Sequence, residues 1–498
     1  MEAMSQISPN EIKFDARYGP FINGEIVEPA NGYINANNAA TGEVLARIGR
    51  GGQEDIDRAV NVAKDAYPGW ANTTIEQRYE LLNKIADALE ANQERLKMME
   101  CMDTGRAIHE FDLDYKLAIF QFRFYASAIL TYYEGNSRPI ENGYLITKKE
   151  SLGVCGMIIP WNVPMIMAAG KLAPALAAGN TVVLKPAEDA CLTIMELGKL
   201  LADILPAGVV NIVPGYGTEA GQALIDHPNI DKLTFTGSVG VGKLVGKAAG
   251  EKVVPVTLEL GGKSAHIVFS DVDIDSAVEN ATLGYTFFNG ESCVLGSRLF
   301  VHEDIYEEFI GKLITRARQV KIGPPTDRST RLASVISEKQ GKRILGYFEI
   351  AKNEGAKILY GGNRATVPGH EHGYFIEPTI IEAQPHMRIF QEEIFGPAVT
   401  VTKWKDVHEV IDMANGVEYG LAAGIMTNDL QKALDTANKL EAGSVWINSY
   451  FNFQVGAPFG GYKKSGVGRE QGKETLDAYS QAKTITVAYK LPEPGMFL

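Results

Sequence analysis

The residue best suited to covalent chemistry is Cys293, in the stretch Phe287-Phe-Asn-Gly-Glu-Ser-Cys-Val-Leu-Gly-Ser-Arg298, where small and polar residues follow an apolar run. A thiol attacks as its thiolate, and with an ordinary pKa near ~8.5 it needs donors or a helix terminus to ionise at neutral pH. Alone, a cysteine more often fills a core as a small hydrophobe. A second signal is Gly237-Ser-Val-Gly-Val-Gly242-Lys243-Leu244, which follows the Gly-x-x-x-x-Gly-Lys pattern of a phosphate-cradling loop up to the lysine. Leu244 stands where a serine or threonine must hold magnesium, which argues against a P-loop nucleotide hydrolase. A glycine-rich turn opening a helix still presents free N–H groups to a pyrophosphate. Gly215-x-Gly217-x-x-x-Gly221 only approaches Gly-x-Gly-x-x-Gly, and no Gly-x-Ser-x-Gly nucleophile elbow occurs. His370 and His372 lie in a Gly/Pro-flanked stretch that reads as solvated loop, so no metal is expected.

These residues need elements to position them. Apolar, strand-like runs occur at 153–159, 181–184, 209–213, 232–235 and 254–260, separated by helical patterns, and their starts fall 22 to 28 residues apart. That spacing is too long for hairpins and suits right-handed crossovers in a parallel, doubly wound sheet. Ligands of such sheets lie beyond the carboxyl ends of the strands. The segments to inspect there are Pro160-Trp161-Asn162, Lys185 to Glu188, Pro214 to Gly217, Thr236-Gly237-Ser238 and Gly261-Gly262. A second series, at His266, Arg298, Lys357, Val399, Ala423 and Ser444, predicts another α/β domain carrying Cys293. Turn signals at Asn23-Gly24, Asn31-Gly32 and Thr41-Gly42 predict hairpins near the N-terminus. Leu81, Leu82, Ile85, Ala86 and Leu89 recur at helical spacing, and a long amphipathic helix is expected over about 108–133, broken at 135–143. Two lone strands, 144–150 and 482–489, are expected to pair in a third lobe that joins subunits.

At 498 residues the chain has room for about three domains of roughly 150 residues each. With 45% hydrophobic and 22% charged residues it is an ordinary globular composition, neither disordered nor fibrous. A formal net charge of −13, without a basic cluster, disfavours nucleic acid as a partner. The four scattered cysteines at 101, 155, 191 and 293 are no disulfide framework and suggest a reducing compartment. The N-terminal Met-Glu-Ala-Met-Ser-Gln lacks a basic n-region and an apolar h-region, and no apolar run approaches the ~18 residues of a membrane span. A cytoplasmic protein without a membrane partner is expected.

Read with Cys293, the separated motifs Pro160-Trp-Asn-Val-Pro164, Lys185-Pro-Ala-Glu188, Phe235-Thr-Gly-Ser238, Leu258-Glu-Leu-Gly-Gly-Lys263, Gly296-Ser-Arg298, Glu393-Ile-Phe-Gly-Pro397 and Pro458-Phe-Gly-Gly-Tyr-Lys463 occur in the order of one family. Over nearly its whole length the chain resembles the NAD(P)-dependent aldehyde dehydrogenase superfamily. The resemblance implies an α/β fold with a doubly wound parallel-sheet cofactor domain (1–130 and 151–261), a second α/β catalytic domain (262–465) and a small β oligomerisation lobe (131–150 and 466–498). It implies that Cys293 attacks an aldehyde, and that the Asn162 amide and the Cys293 N–H stabilise the oxyanion. Collapse to a thioester then expels hydride to the nicotinamide, and Glu259 activates the hydrolytic water. Glu470 matches a further carboxylate, catalytic or purely structural.

For the cofactor, expected to be NAD, the resemblance puts Lys185 and Glu188 at the adenosine ribose, where a carboxylate repels the 2′-phosphate of NADP. Ser238 matches the pyrophosphate contact, and Glu393 and Phe395 match the nicotinamide ribose and ring. Ile158, Pro160, Trp161, Gly217, Phe235, Gly237, Leu260 and Gly261 complete the expected cofactor set. Val163, Met167, Gly170, Phe288, Ser292, Val294, Phe453 and Phe459 are expected around the substrate. Because Val163 and Gly170 are small, a bulky aldehyde is expected over acetaldehyde, unless a neighbouring side chain refills the gap at Gly170. One departure is Glu291, where the family commonly has glutamine; a carboxylate near the thiol opposes its ionisation. A homodimer or homotetramer is expected. The alternatives are a coenzyme-A-acylating dehydrogenase, which generally lacks the carboxylate at Glu259, and a binding protein on an enzyme scaffold.

Overall fold

Five parallel strands, Val154–Ile158, Thr181–Lys185, Val210–Ile212, Lys232–Thr236 and Val256–Glu259, form the centre of an eight-stranded sheet. They are almost wholly buried, which is why Val154–Ile158 and Thr181–Lys185 read as mainly apolar runs, whereas Lys232–Thr236 and Val256–Glu259 alternate apolar residues with polar ones that are largely buried too. The protein is seen here as a computed structural model that describes residues 7–132 and 135–490. Across the sheet the order is Val256–Glu259, Lys232–Thr236, Val154–Ile158, Thr181–Lys185, Val210–Ile212. The winding reverses between Val154–Ile158 and Lys232–Thr236. The crevice beyond their carboxyl ends is the switch point where such sheets hold ligands, and it sets Pro160–Asn162 beside Gly237 and Ser238.

Both ends of this sheet are completed antiparallel from distant sequence. Phe21–Ile22 and Glu25–Ile26 form a hairpin at one edge, turned by Asn23 and Gly24 at φ 60° and 82°, the pair of positive φ values that a type I′ turn requires. Thr41-Gly42 turns a second hairpin between Tyr33–Asn37 and Val44–Gly49, whereas Asn31-Gly32 only leads into the first of these strands. At the other edge Gly466–Val467 pairs with Val256–Glu259. The 466–498 segment is therefore not a bridging lobe from its start: its first residues belong to the cofactor sheet.

The second sheet has seven strands in the order Lys357–Tyr360, Thr379–Glu382, Ala398–Trp404, Arg298–His302, Ala265–Val268, Ala422–Met426, Ser444–Ile447. All run parallel except Lys357–Tyr360. Thr379–Glu382 is absent from the series read in the sequence. Residues 256–268 pass from one sheet into the other, with Glu259 ending the first strand and Ala265 opening the next.

Ser480–Ala488 pairs antiparallel with Gly143–Ser151 along its full length, and Asn136–Ile140 adds a third strand inside the stretch expected only to break a helix. The helix Ile75–Thr104 opens on a reciprocal cap between Thr74 and Gln77 and stops at Gly105, φ 77°. The following helix is Phe111–Tyr132; Ile108–Glu110, expected inside it, forms a separate tighter turn. Among the described residues no helix is long and apolar enough to cross a membrane, and no group of three or more His, Cys, Asp or Glu could hold a metal.

Candidate active site

Cys293 is partly exposed on a cavity of about 350 Å³ where the loops beyond the first sheet meet the loops leading into the second. It follows the helix Ile274–Thr286 and a turn in which Phe288 and Asn289 adopt φ 59° and 56°. Asn289 is fully buried and ties that turn down. Its amide donates to the Ser334 carbonyl (2.8 Å) and the Gly105 carbonyl (3.3 Å), and its oxygen accepts from the Ala333 N–H (2.8 Å). Gly262, on the segment joining the two sheets, packs against the Cys293 main chain; a Cβ there would lie 2.3 Å from the Cys293 carbonyl oxygen. Burial pushes the thiol up to about 12, with the Glu393 and Glu259 carboxyls adding to the shift and main-chain N–H groups opposing it.

Glu291 does not join them. Its carboxyl accepts from the Ile336 N–H at 3.1 Å, and burial holds it well above the carboxylate range. Its main-chain carbonyl accepts one N–H of the Asn162 amide at 2.8 Å. An amide carries two N–H donors, so this bond orients Asn162 and leaves its other N–H for the cavity that Asn162 lines.

Glu259 lines the same cavity, and among the described residues neither of its oxygens has a hydrogen-bond partner. Burial first, and then the neighbouring Glu470, raise it well above an ordinary carboxyl, while Lys171 and Arg469 pull the other way. Glu470 lines the cavity too, accepting from Lys171 Nζ at 2.5 Å and Thr234 Oγ1 at 3.2 Å.

Pro160, Trp161, Gly237, Ser238, Leu260, Gly261, Glu393 and Phe395 line a further stretch of the cavity. Ser238 caps the helix Val239–Lys252, accepting from the Val241 N–H. Gly237 is glycine for a local reason, since a Cβ would meet the Phe235 ring at 2.5 Å. Phe235 thus supports the loop and does not line the cavity. The Glu393 carboxyl lies against Gly261 and accepts from the Gly262 N–H at 3.1 Å. Burial pushes it up to about 7 against the pull of that N–H, Arg343 and Lys263. Phe395, at φ 60°, stands edge-on to Trp161 with ring centroids 5.3 Å apart.

Lys185, Glu188, Gly217 and Ile158 gather further along the sheet edge, outside the cavity. Lys185 Nζ donates to Glu188 at 2.9 Å, and Ile158 and Lys185 both face Gly221. Burial alone would raise Glu188, but Lys185 and the Gly217 N–H hold it below the usual carboxylate range. Two features of the crevice suit a dinucleotide. Thr236 presents a buried hydroxyl without a partner among the described residues, and a Cβ on Gly217 would meet nothing within 4 Å, so a backbone can be approached closely there.

Another part of the cavity is largely apolar. Val163, Met167, Phe288, Ser292, Val294, Phe453 and Phe459 line it, together with Leu117 and Ile166. Gly170 is the exception and overturns one expectation. It faces the helix Phe111–Tyr132, and a Cβ there would lie 2.9 Å from Gln121 Oε1. The room opened by the missing side chain is filled by the Gln121 amide.

Three groups at the site carry no clear signal in the sequence. Gln340 and Arg343 donate to the carbonyls of Phe395, Ile394 and Glu393, fixing that loop. Lys171 was passed over as one lysine on an apolar helix. Arg106, Glu110 and Asp114 form a buried charge cluster behind Asn162 and Phe288; Arg106 precedes the Ile108–Glu110 turn and Asp114 lies in the helix after it, so no single helical pattern announces them.

The Aldehyde dehydrogenase family profile matches residues 26–485. The chain is 43% identical to an acetaldehyde dehydrogenase of Pseudomonas aeruginosa and 41% identical to an aldehyde dehydrogenase of Vibrio cholerae serotype O1, each over 98% of both chains. Among solved structures it matches the NAD⁺ complex of an aldehyde dehydrogenase from Bacillus cereus at TM-score 0.92 and 41% identity, covering 95% of this chain and 97% of that one. It matches betaine aldehyde dehydrogenase from Staphylococcus aureus in complex with NAD⁺ at TM-score 0.93 and 37% identity, covering 96% and 95%. The chain belongs to the aldehyde dehydrogenase family and has its α/β fold.

Proposed function

We propose that this protein oxidises an apolar aldehyde to the carboxylic acid with NAD, through a thioester on Cys293. The observation that carries the reading is the convergence on one cavity of a reachable thiol, an amide with a spare N–H and a carboxyl with two unpartnered oxygens. Cys293 Sγ bonds to the aldehyde carbon, and the thiol proton leaves to a base. The Asn162 amide and the Cys293 N–H hold the oxyanion that forms. When bound, the nicotinamide ring would accept the hydride that leaves the former aldehyde carbon as the oxyanion collapses to the thioester. Glu259 then takes a proton from water as its oxygen attacks the thioester carbon; the C–S bond breaks, releasing acid and returning the thiol. The burial that disfavours charge on Glu259 makes its ionised form a stronger base than a solvated carboxylate.

Residues Pro160, Trp161, Gly237, Ser238, Leu260, Gly261, Glu393 and Phe395 would hold the nicotinamide and pyrophosphate portion of the cofactor, and Ile158, Lys185, Glu188 and Gly217 the adenosine portion. The ionised Glu188 favours NAD over NADP. With Gln121 in the space beside Gly170, breadth in the substrate channel rests on Val163, so bulk is accommodated near the reacting carbon. We assign the three-stranded sheet ending in Ser480–Ala488 to subunit contact, giving a homodimer or homotetramer; its exposed Ile485 and Val487 support this, as do the exposed Val241 and Leu244 on the helix after Ser238. The four free cysteines suit a reducing, cytoplasmic setting.

The test is NADH formation, without coenzyme A, across aldehydes from acetaldehyde to branched and aromatic ones, for the wild type and Cys293→Ala. The wild type should form free acid, turn over faster with NAD than NADP and prefer bulk near the carbonyl. Cys293→Ala should be inactive; ordinary turnover by it would overturn the assignment.

A further inference from the structure

The buried charges behind Asn162 take no part in the chemistry just proposed, yet they touch both loops from which the oxyanion donors come. Arg106 is wholly buried. Its guanidinium donates to Glu110 at 3.1 Å, to Asp114 at 2.6 Å and to the main-chain carbonyl of Asn162 at 3.1 Å. The same group lies over the Phe288 ring, 4.2 Å from its centroid, and over the Phe111 ring at 4.6 Å. Glu110 in turn accepts from the Phe288 N–H at 2.7 Å. Phe288 is left-handed at φ 59°, a backbone state that is unfavourable for a bulky residue and needs outside support.

One arginine and one carboxylate thus hold the loop after Val154–Ile158 and the turn before Cys293 at a fixed separation. Those segments carry the Asn162 side-chain amide and the Cys293 N–H. An ion pair serving stability alone would be complete with Glu110 and Asp114. The contacts to Asn162 and Phe288 are additional, and both end on the loops that must converge.

We infer that Arg106 is a positioning residue for the oxyanion site, setting the Asn162 amide in register with the Cys293 N–H through the Asn162 main chain and, with Glu110, through the Phe288 turn. The inference rests on the dehydrogenase reading above. Oxyanion donors must lie about 2.7–3.1 Å from the developing charge, and a misplacement of about 1 Å costs on the order of 10²-fold in rate. Lysine cannot replace the arginine here. Its ammonium is a point donor, whereas the planar fork reaches two carboxylates and a carbonyl along fixed directions.

The experiment compares Arg106→Lys, Asn162→Ala and the double variant with the wild type, using NADH formation with the best aldehyde of the panel. Arg106→Lys should lower kcat roughly 10- to 100-fold with KM for aldehyde and NAD unchanged. Asn162→Ala should lose on the order of 10²- to 10³-fold. If Arg106 acts through Asn162, the double variant should be no slower than Asn162→Ala alone. Full kcat in Arg106→Lys, a loss confined to KM, or multiplying losses in the double variant overturns the inference while an active wild type leaves the reading intact. A wild type that forms no NADH overturns both. If Arg106→Lys does not fold, as judged by NAD binding and circular dichroism, Glu110→Gln takes its place: the amide oxygen still accepts from Phe288, but one of the two charges holding Arg106 is gone while Asp114 remains. It should show a smaller loss with the same non-additivity, and unchanged kcat there overturns the inference equally.

Discussion

Asn289 offers a sharp test of how the cysteine loop is held. Replacing it with alanine removes two strong hydrogen bonds, to Ser334 and Ala333, and a longer one to Gly105, all in a fully buried setting. Leaving the two stronger main-chain partners unsatisfied costs about 1–3 kcal/mol each. Alanine also tolerates φ 56° less well than asparagine, by about 1 kcal/mol. The sum, roughly 3–7 kcal/mol, is a large part of the ~5–15 kcal/mol that keeps a protein folded. Urea unfolding and kcat should both register it, with Asn289→Ala showing a much lower midpoint and slower turnover. Glycine recovers only the backbone share, so Asn289→Gly should fall between alanine and wild type. Asn289→Asp keeps an acceptor for Ala333 but loses both donors and buries a charge, and should be the least stable of the three. An alanine variant within ~1 kcal/mol of wild type, or a glycine variant fully restored, would refute this accounting.

Two further outcomes follow from features away from the chemistry. Val253 caps the helix Val239–Lys252 at φ 57° while 90% exposed, so a β-branched residue carries left-handed strain with little packing in return. Val253→Asn should raise stability by about 1 kcal/mol without changing kcat, and a lowered unfolding midpoint would contradict it. His266 is wholly buried, with neither ring nitrogen partnered among the described residues, and burial lowers it to about 3. Its folded pKa lies below the unfolded ~6.5, so the unfolded chain takes up the proton first. Stability is unaffected above about pH 6.5 and falls by up to about 1.4 kcal/mol per pH unit as pH drops from there towards 3. His266→Met should remove one proton's worth of that slope; equal slopes in the two proteins would show that the histidine is not the group responsible.

What sequence could convey divides along physical lines. Val154–Ile158 and Thr181–Lys185 were legible because they are buried on both faces and so are written as mainly apolar runs, and the other central strands through their regular spacing from these. The turn at Asn23-Gly24 was legible because few residues tolerate two positive φ values in succession. Cys293, Asn162 and Glu259 stood out through motifs, and the cavity brings them together. The role given to Gly170 failed for a different reason. Gln121 lies on another helix, and only the packing of Phe111–Tyr132 against Pro164–Ala177 carries its amide into the gap. Likewise the orientation of Glu291, which bears on the thiol, depends on the Ile336 N–H, a main-chain group that no side-chain pattern announces.

The antiparallel strand Gly466–Val467 has a consequence for how the protein comes into being. It closes the edge of a sheet whose other strands are finished by residue 259, and Ser465 beside it accepts from the Leu260 N–H. Glu470, three residues beyond, meets Lys171 inside the site. During synthesis the chain must therefore wait for about two hundred further residues before the first sheet gains its last edge and the buried Lys171 its counter-charge. Until then Val256–Glu259 is an open strand and Lys171 lacks the Glu470 carboxylate, two features that favour association with other chains and loose packing. The cavity that holds Cys293 is thus assembled last, and a chain truncated before 466 should be an incompletely sealed sheet prone to aggregate.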